Sequence, residues 1–378
     1  MKNNTLIELR VRNSFASSPL FSIANSYQNG FFYCSFSKML SSIQLLGFSR
    51  NQYQNCDFSN IYSKNPILEM INYENEYINR VFNSPFNDFV STEFYSCYFR
   101  SITIPSGSLF SCSSISLYFN QCKFENIVSH QASCFNISFS DFSLYNSSFL
   151  NLVAQTNVPS FAVFMSMNNS CTIYNISISN CSSASKSAPI MDVFNSSFKI
   201  SQIKVELNEV IYSNVFQFTD CYSLKVLESS FSFSESMNKS VLYIYNTLDV
   251  SIGQLSISNV SISPIEIFLS NVILNDVCIS NSDNNISIFT LDNESVVYSK
   301  NIYHGSHCLF SLIMPSPTIT PKKESAMNTI TSLIFAVFYI GAFSTMIVFV
   351  FGKIGSAENP MYGENPDLHE EEDFSDFV

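Results

Sequence analysis

Internal repetition constrains this chain more than any other feature. One phrase recurs: a small polar residue or Cys, any residue, Phe, then often Asn and an aliphatic residue. It appears as Cys34-Ser-Phe36, Cys56-Asp-Phe58-Ser-Asn60-Ile61, Cys97-Tyr-Phe99 and Cys122-Lys-Phe124-Glu-Asn126-Ile127. Ser147-Ser-Phe149-Leu-Asn151-Leu152 and Ser229-Ser-Phe231 continue it, and later copies such as Leu255-Ser-Ile257-Ser-Asn259-Val260 replace Phe with an aliphatic. About ten residues further on lies a second phrase, a small residue or Pro before a short apolar run, as at Pro19-Leu-Phe21, Gly107-Ser-Leu109-Phe110, Ala132-Ser-Cys134-Phe135, Pro159-Ser-Phe161, Pro189-Ile190 and Pro264-Ile265. With Leu45, Ile67, Phe89, Ile288 and Leu309 as further anchors, about 13 copies follow one another at a mean spacing of about 24 residues, the mark of a solenoid.

The period inside each copy selects the solenoid. Ser-Ile-Ser-Leu-Tyr-Phe at 114–119 and Thr-Ile-Tyr-Asn-Ile-Ser-Ile-Ser at 172–179 alternate apolar and polar residues, the half-buried strand pattern, in β-favouring residue types. Runs of Ala, Glu, Lys and Leu at helical spacing are missing, and so is a leucine-rich-repeat pattern. The expected body, residues 1–313, is all-β: a right-handed parallel β-helix of about 13 coils. Equivalent residues of successive coils lie above one another in such a rod. The Phe anchors then form an internal stack, and Cys34, Cys56, Cys97 and Cys122 face the interior as a ladder of small buried side chains, disulfides between neighbouring coils being the alternative. Asn60, Asn126 and Asn259 are expected in a hydrogen-bonded ladder or at left-handed turn positions.

The second constraint is the uncharged stretch 325–352. Its apolar part, Ile330 to Phe351, gives a helix of about 33 Å, long enough for a hydrocarbon core of about 30 Å. One membrane-spanning helix is expected, because a lone span must satisfy its backbone internally. Before it, residues 314–324 carry three Pro and read as an extended stalk. After it, residues 353–378 form an acidic, disordered tail. Lys322 and Lys323 on one side and Lys353 on the other leave the orientation undecided by charge.

The tail holds Asn359-Pro360-Met361-Tyr362. Asn-Pro starts a tight turn that presents Tyr362. The pattern is similar to the internalisation signals of single-span receptors, which implies a PTB-like or clathrin-adaptor partner in the cytosol. Only 13% of residues are charged, so the body must present Ser, Asn, Thr and Tyr to water. The net charge of −12 is concentrated in the tail, and no basic stripe exists, so nucleic acid is not an expected partner. Sequons at Asn136, Asn146, Asn168, Asn175, Asn180, Asn195, Asn238, Asn259, Asn285 and Asn293 permit N-glycosylation of an external body. The first residues, MKNNTLIELRVRNSF, are not a signal peptide, and Leu6, Leu9 and Val11 already read as part of a coil. The expectation is an N-terminally incomplete chain.

The Cys-x-Phe-x-Asn-Ile phrase, the period, the single C-terminal span and the tail together resemble the pectin-lyase-like, polymorphic-membrane-protein-like β-helix surface proteins of parasitic protists of the trichomonad type. Bacterial relatives use Gly-Gly-Ala-Ile and Phe-x-x-Asn repeats, whereas this chain has 9 Gly and a shortened Phe-x-Asn. The resemblance implies a plasma-membrane adhesin or receptor-like protein that contacts a surface ligand or host-cell component. No paired Asp motif accompanies His304 and His307, His130 and His369 stand apart, and no metal or cofactor motif is present, so the body is expected to lack a bond-making step and a cofactor. Trp, a common sugar platform, is absent, but 19 Tyr are available to substitute. The alternatives are a polysaccharide-acting β-helix enzyme and a cytosolic β-helix held by a C-terminal tail anchor.

Overall fold

A computed structural model describes residues 3–14, 21–24, 28–40, 43–46, 50–63, 68–71, 91–113, 115–130, 134–138, 140–155, 169–183, 189–208, 212–280 and 286–305. These residues form an all-β parallel solenoid with about nine turns described in full. One large sheet of 19 strands runs along the rod, and two five-stranded sheets, one after the other, close its remaining side. Among the described residues no helix is long and apolar enough to cross a membrane. The expected span at Ile330–Phe351, the stalk and the tail lie outside them.

A single turn shows how sequence becomes coil. The strand Ser91–Tyr95 buries Thr92 and Phe94 and turns Ser91, Glu93 and Tyr95 outward. Ser96 then takes the left-handed conformation (φ 52°), and Cys97 points inward. The strand Tyr98–Ile104 follows, bent at a second left-handed residue, Ser101. Phe110–Ser113 completes the turn on the closing sheet. The next turn repeats this register: Ser91 pairs with Ser116 and Tyr98 with Lys123, each 25 residues on.

Among the described residues the first corner is built without glycine. Tyr33, Asn55, Ser96, Gln121, Asn146 and Asn175 all have φ between 49° and 58° at the first corner. Side chains that bond locally make this region accessible to Asn and its like. The corner N–H stays in the ladder: Asn55 donates to the Tyr95 carbonyl at 2.9 Å, Ser96 to Asn120 at 2.9 Å and Asn146 to Tyr174 at 3.0 Å. Asn60, Asn126 and Asn259 also take left-handed positions, and Asn126 is in addition part of a ladder, its Oδ1 accepting from Asn151 Nδ2 at 3.0 Å.

Inside, Phe36, Phe58, Phe99, Phe124 and Phe149 stack with centroids 4.6–5.0 Å apart. A second column, Phe31, Tyr53, Phe94 and Phe119, runs beside it at 4.5–4.8 Å. Phe110 and Phe135 meet both edge-on from the closing sheet. Each stacked pair contributes about 0.5–1.5 kcal/mol beyond area burial. Further along, the first column continues as Ile178, Val205, Phe231, Ile257 and Ile279.

Cys34, Cys56, Cys97 and Cys122 are free, buried thiols one residue past the first corner. Their thiols face the Leu6, Phe31, Tyr53 and Phe94 carbonyls of neighbouring turns at 3.3–3.6 Å. The next turn places Ser147 there, whose hydroxyl donates to the Tyr145 carbonyl at 2.7 Å. The position therefore takes a small side chain with a donor. Burial raises the Cys34, Cys97, Cys112 and Cys171 thiols, and the neighbouring Cys97 together with burial raises Cys56. Cys278 differs from the other described cysteines in being disulfide-bonded.

Leu68–Ile71 pairs directly with Phe110–Ser113, and Arg50–Gln54 with Ser91–Tyr95. The spacing there is 41 residues, from Arg50 to Ser91, instead of about 24. About nine turns are described in full, against about 13 copies counted in the sequence, and the anchors Ile67, Phe89, Pro159–Phe161 and Leu309 lie outside the described residues.

Candidate recognition surface

The outward residues of the large sheet form the best-defined candidate surface. Tyr95, Tyr145 and Tyr174 share the last outward position before the first corner, where Asn120 stands in the rung between the first two. Tyr118 lies two positions earlier in Asn120's rung and fills that gap. Its ring centroid is 5.4 Å from Tyr95 and 5.5 Å from Tyr145, and Tyr145 is 6.4 Å from Tyr174. The rings tilt by 35–46° to one another. At a rung spacing of about 4.8 Å the row spans about 14 Å. Tyr95, Tyr118 and Tyr145 are half-buried and Tyr174 is 39% exposed.

The surroundings of Tyr95 and Tyr118 favour their neutral phenols. Tyr95 Oη donates to Glu93 Oε2 at 3.0 Å, and burial, then the Glu93 charge, pushes the Tyr95 phenol up to about 12. Burial and then the Tyr145 neighbour also raise Tyr118. Ser91, Ser116 and Asp141 line the same face. Amphipathic rings flanked by hydroxyls offer both stacking area and hydrogen bonds at low entropic cost.

Around the first corner the outward face is charged. Arg100 Nε lies 3.5 Å from Asp57 Oδ1, and its guanidinium sits 5.0 Å above the Tyr98 ring. Tyr98 in turn hydrogen-bonds the Glu125 carboxylate. Beyond the second corner lies a cavity of about 330 Å³, lined by the amides of Asn151, Asn180 and Asn208 and by Ser182, over Val153, Cys181 and Leu207. Among the described residues no group of three or more His, Cys, Asp or Glu is placed to hold a metal. His130 and His304 are exposed and far apart in the coil order, while His307 and His369 lie outside the described residues.

The sequons divide by environment. Asn146, Asn175, Asn180, Asn195 and Asn259 hold left-handed corners. Asn175 Nδ2 donates to Asn146 Oδ1 at 2.7 Å, Asn146 Nδ2 to Asn120 Oδ1 at 3.0 Å, and Asn259 Nδ2 to the Phe233 carbonyl. A glycan on these nitrogens would remove a donor from the ladder. Asn136 is half-buried within the strand Phe135–Ser138. Asn238 and Asn293 are exposed. Asn168, Asn285 and the tail residues Asn359, Pro360 and Tyr362 lie outside the described residues.

Sequence reasoning missed the tyrosine row, because its members belong to two register columns that only the coil geometry merges. It also missed a buried ladder at the N-terminal end. There Asn4 Nδ2 donates to Asn29 Oδ1 at 3.0 Å, Asn29 Nδ2 to Asn51 Oδ1 at 2.8 Å and Asn51 Nδ2 to Thr92 Oγ1 at 3.3 Å.

No family model matches the chain, and no curated protein matches its sequence. Solved structures do. A substituted form of the catalytic domain of a GH87 α-1,3-glucanase in complex with nigerose matches at 9% identity and a TM-score of 0.30, over 79% of this chain and 63% of that one. The Azotobacter vinelandii mannuronan C-5 epimerase AlgE4 A-module matches at 9% identity and a TM-score of 0.23, over 80% of this chain and 91% of that one. The Siphovirus 9NA tailspike receptor binding domain matches at 8% identity and TM-score 0.24, over 81% and 70%. The chain thus spans less than two thirds of the glucanase domain. These neighbours are parallel β-helix proteins, and the likeness is one of fold alone. Most of them are catalytic domains, which corrects the expectation that a β-helix of this kind lacks a bond-making step. The absence of a paired-carboxylate motif no longer excludes catalysis, and likenesses this distant carry no argument for a particular activity.

Proposed function

We propose that this chain is a single-pass surface protein whose right-handed β-helical body recognises a ligand outside the plasma membrane. The tyrosine row Tyr95–Tyr118–Tyr145–Tyr174 carries this reading: four neighbouring rings along one outward face of the rod, three half-buried and Tyr174 exposed, framed by Ser and Asp. Such a row suits the apolar faces of an extended glycan, or an equivalent host-cell component, laid along the rod axis. Exposed sequons at Asn238 and Asn293 suit a glycosylated outer face. The segment Ile330–Phe351 would anchor the chain, and Asn359-Pro360-Met361-Tyr362 would engage a PTB-like or clathrin-adaptor protein.

The test is binding of the whole chain to a panel of neutral and acidic oligosaccharides, compared with Tyr118→Ala/Tyr145→Ala. Losing two stacking rings predicts a fall in affinity of about tenfold. Binding that survives the double substitution unchanged would remove the row from recognition. Analysis of the same mixtures for cleaved or epimerised sugar separates recognition from turnover.

A further inference from the structure

The outward positions of the rod change character in its last two described rungs. One outward column reads Ser143, Thr172, Lys199, Lys225 and Ser251, then Ile273 and Tyr298. A second reads Ser223, Asp249 and Asn271, then Val296. Past the first corner, outward Ser230 and Ser256 and then the buried, disulfide-bonded Cys278 precede Tyr303. Ile273 and Val296 are each 45% exposed, Tyr303 48% and Tyr298 68%.

The adjoining corner makes the same change. In earlier turns its left-handed residue is Asn195, Asp220 or Asn246, side chains that tolerate that backbone; the next is Leu269, at φ 52°. A leucine here is strained and 38% exposed, so neither backbone preference nor core packing explains it. Leu248, 70% exposed, stands nearby at the same corner. An apolar patch this concentrated marks a contact surface.

We infer that this end of the solenoid docks on lipid, seated in the interfacial zone of a bilayer. The inference rests on the proposed span at Ile330–Phe351. Residues 306–329 separate the last described strand from that span and, fully extended, reach at most about 80 Å. The tether holds the patch at high local concentration beside the membrane, so a weak contact suffices. Tyr298 and Tyr303 are of the type enriched at membrane interfaces, beside aliphatic Leu248, Leu269 and Ile273. Lys300 on the last strand is offset by Asp292 and Glu294, so the surface favours a zwitterionic headgroup over an anionic one.

The chain contains no Trp, so Tyr298→Trp introduces a single fluorophore. The full chain carrying it is reconstituted in phosphatidylcholine vesicles with acyl-brominated lipid, and Tyr62→Trp, on an early turn, serves as the distant reporter. Docking predicts blue-shifted emission and several-fold stronger quenching at position 298 than at 62. Leu248→Ser/Leu269→Asn/Ile273→Ser should abolish the difference while the chain stays in the membrane. Equal quenching at both positions, in a chain that resists alkaline extraction, would overturn the inference and leave the span intact. A blue shift that grows with chain density without bromolipid quenching would overturn it in favour of a second copy. Release of the chain by alkali would refute the span itself, and the docking with it.

Discussion

Phe99 offers the sharpest test of how the rod is held together. Its ring is fully buried, stacks on Phe58 at 4.8 Å and on Phe124 at 5.0 Å, and meets Phe94 and Phe110 edge-on at 5.7 and 5.3 Å. Phe99→Ala should cost about 3–5 kcal/mol, because coils stacked at fixed spacing cannot collapse into the cavity. The more informative experiment is a double-mutant cycle with leucine, each single change costing about 1–2 kcal/mol. Phe99 and Phe124 are adjacent rungs and should couple by about 0.5–1.5 kcal/mol. Phe99 and Phe149 are two rungs apart, about 10 Å, and should be additive to within about 0.5 kcal/mol. Urea denaturation followed by far-ultraviolet circular dichroism, at constant m-value, reads both cycles. Equal coupling in the two cycles would refute nearest-neighbour stacking as the source of cohesion.

Other outcomes follow from single sites. Tyr53 is fully buried among phenylalanines and its Oη has no hydrogen-bond partner among the described residues, so Tyr53→Phe should raise stability by about 1–2 kcal/mol in the same denaturation assay. Burial raises Asp192 to about 6, and its buried Oδ1 has no hydrogen-bond partner among the described residues. The folded state therefore holds the proton more tightly than the unfolded one, and stability falls as pH rises from about 4 to about 6. Asp192→Asn should flatten that slope and gain up to about 2 kcal/mol at pH 7, after allowance for partial exposure. The buried thiols of Cys97, Cys112 and Cys171 should resist an aromatic disulfide reagent in the native chain and react together on unfolding. Asn175→Ala removes the 2.7 Å bond to Asn146 and a left-handed-tolerant residue, and should cost about 1–2 kcal/mol.

The Cys-x-Phe phrase was legible because a solenoid writes each interior column as a spacing in the chain. Cys97 and Phe99 sit where that spacing puts them, one past a corner and three past it. The same logic passes over the 41-residue spacing from Arg50 to Ser91, because repeat counting cannot tell a rung from an insertion. The Asn4–Asn29–Asn51–Thr92 ladder was illegible for another reason. Asn reads as a turn residue in a sequence, and a buried amide column becomes tenable only when stacking supplies each amide with the next. The tyrosine row combined both difficulties, since Tyr118 joins Tyr95 and Tyr145 across columns. Among the sequons, composition could not separate Asn175, bound into a corner, from Asn293, open to solvent.

Topology in the native cell tests the functional account most directly. Intact cells expressing the chain with a tag at each end are treated with protease and glycosidase. The account predicts loss of the body, a protected C-terminal tag and a glycan-dependent shift in mobility. A protected, unglycosylated body would contradict it and place the solenoid on the cytosolic side of a tail anchor.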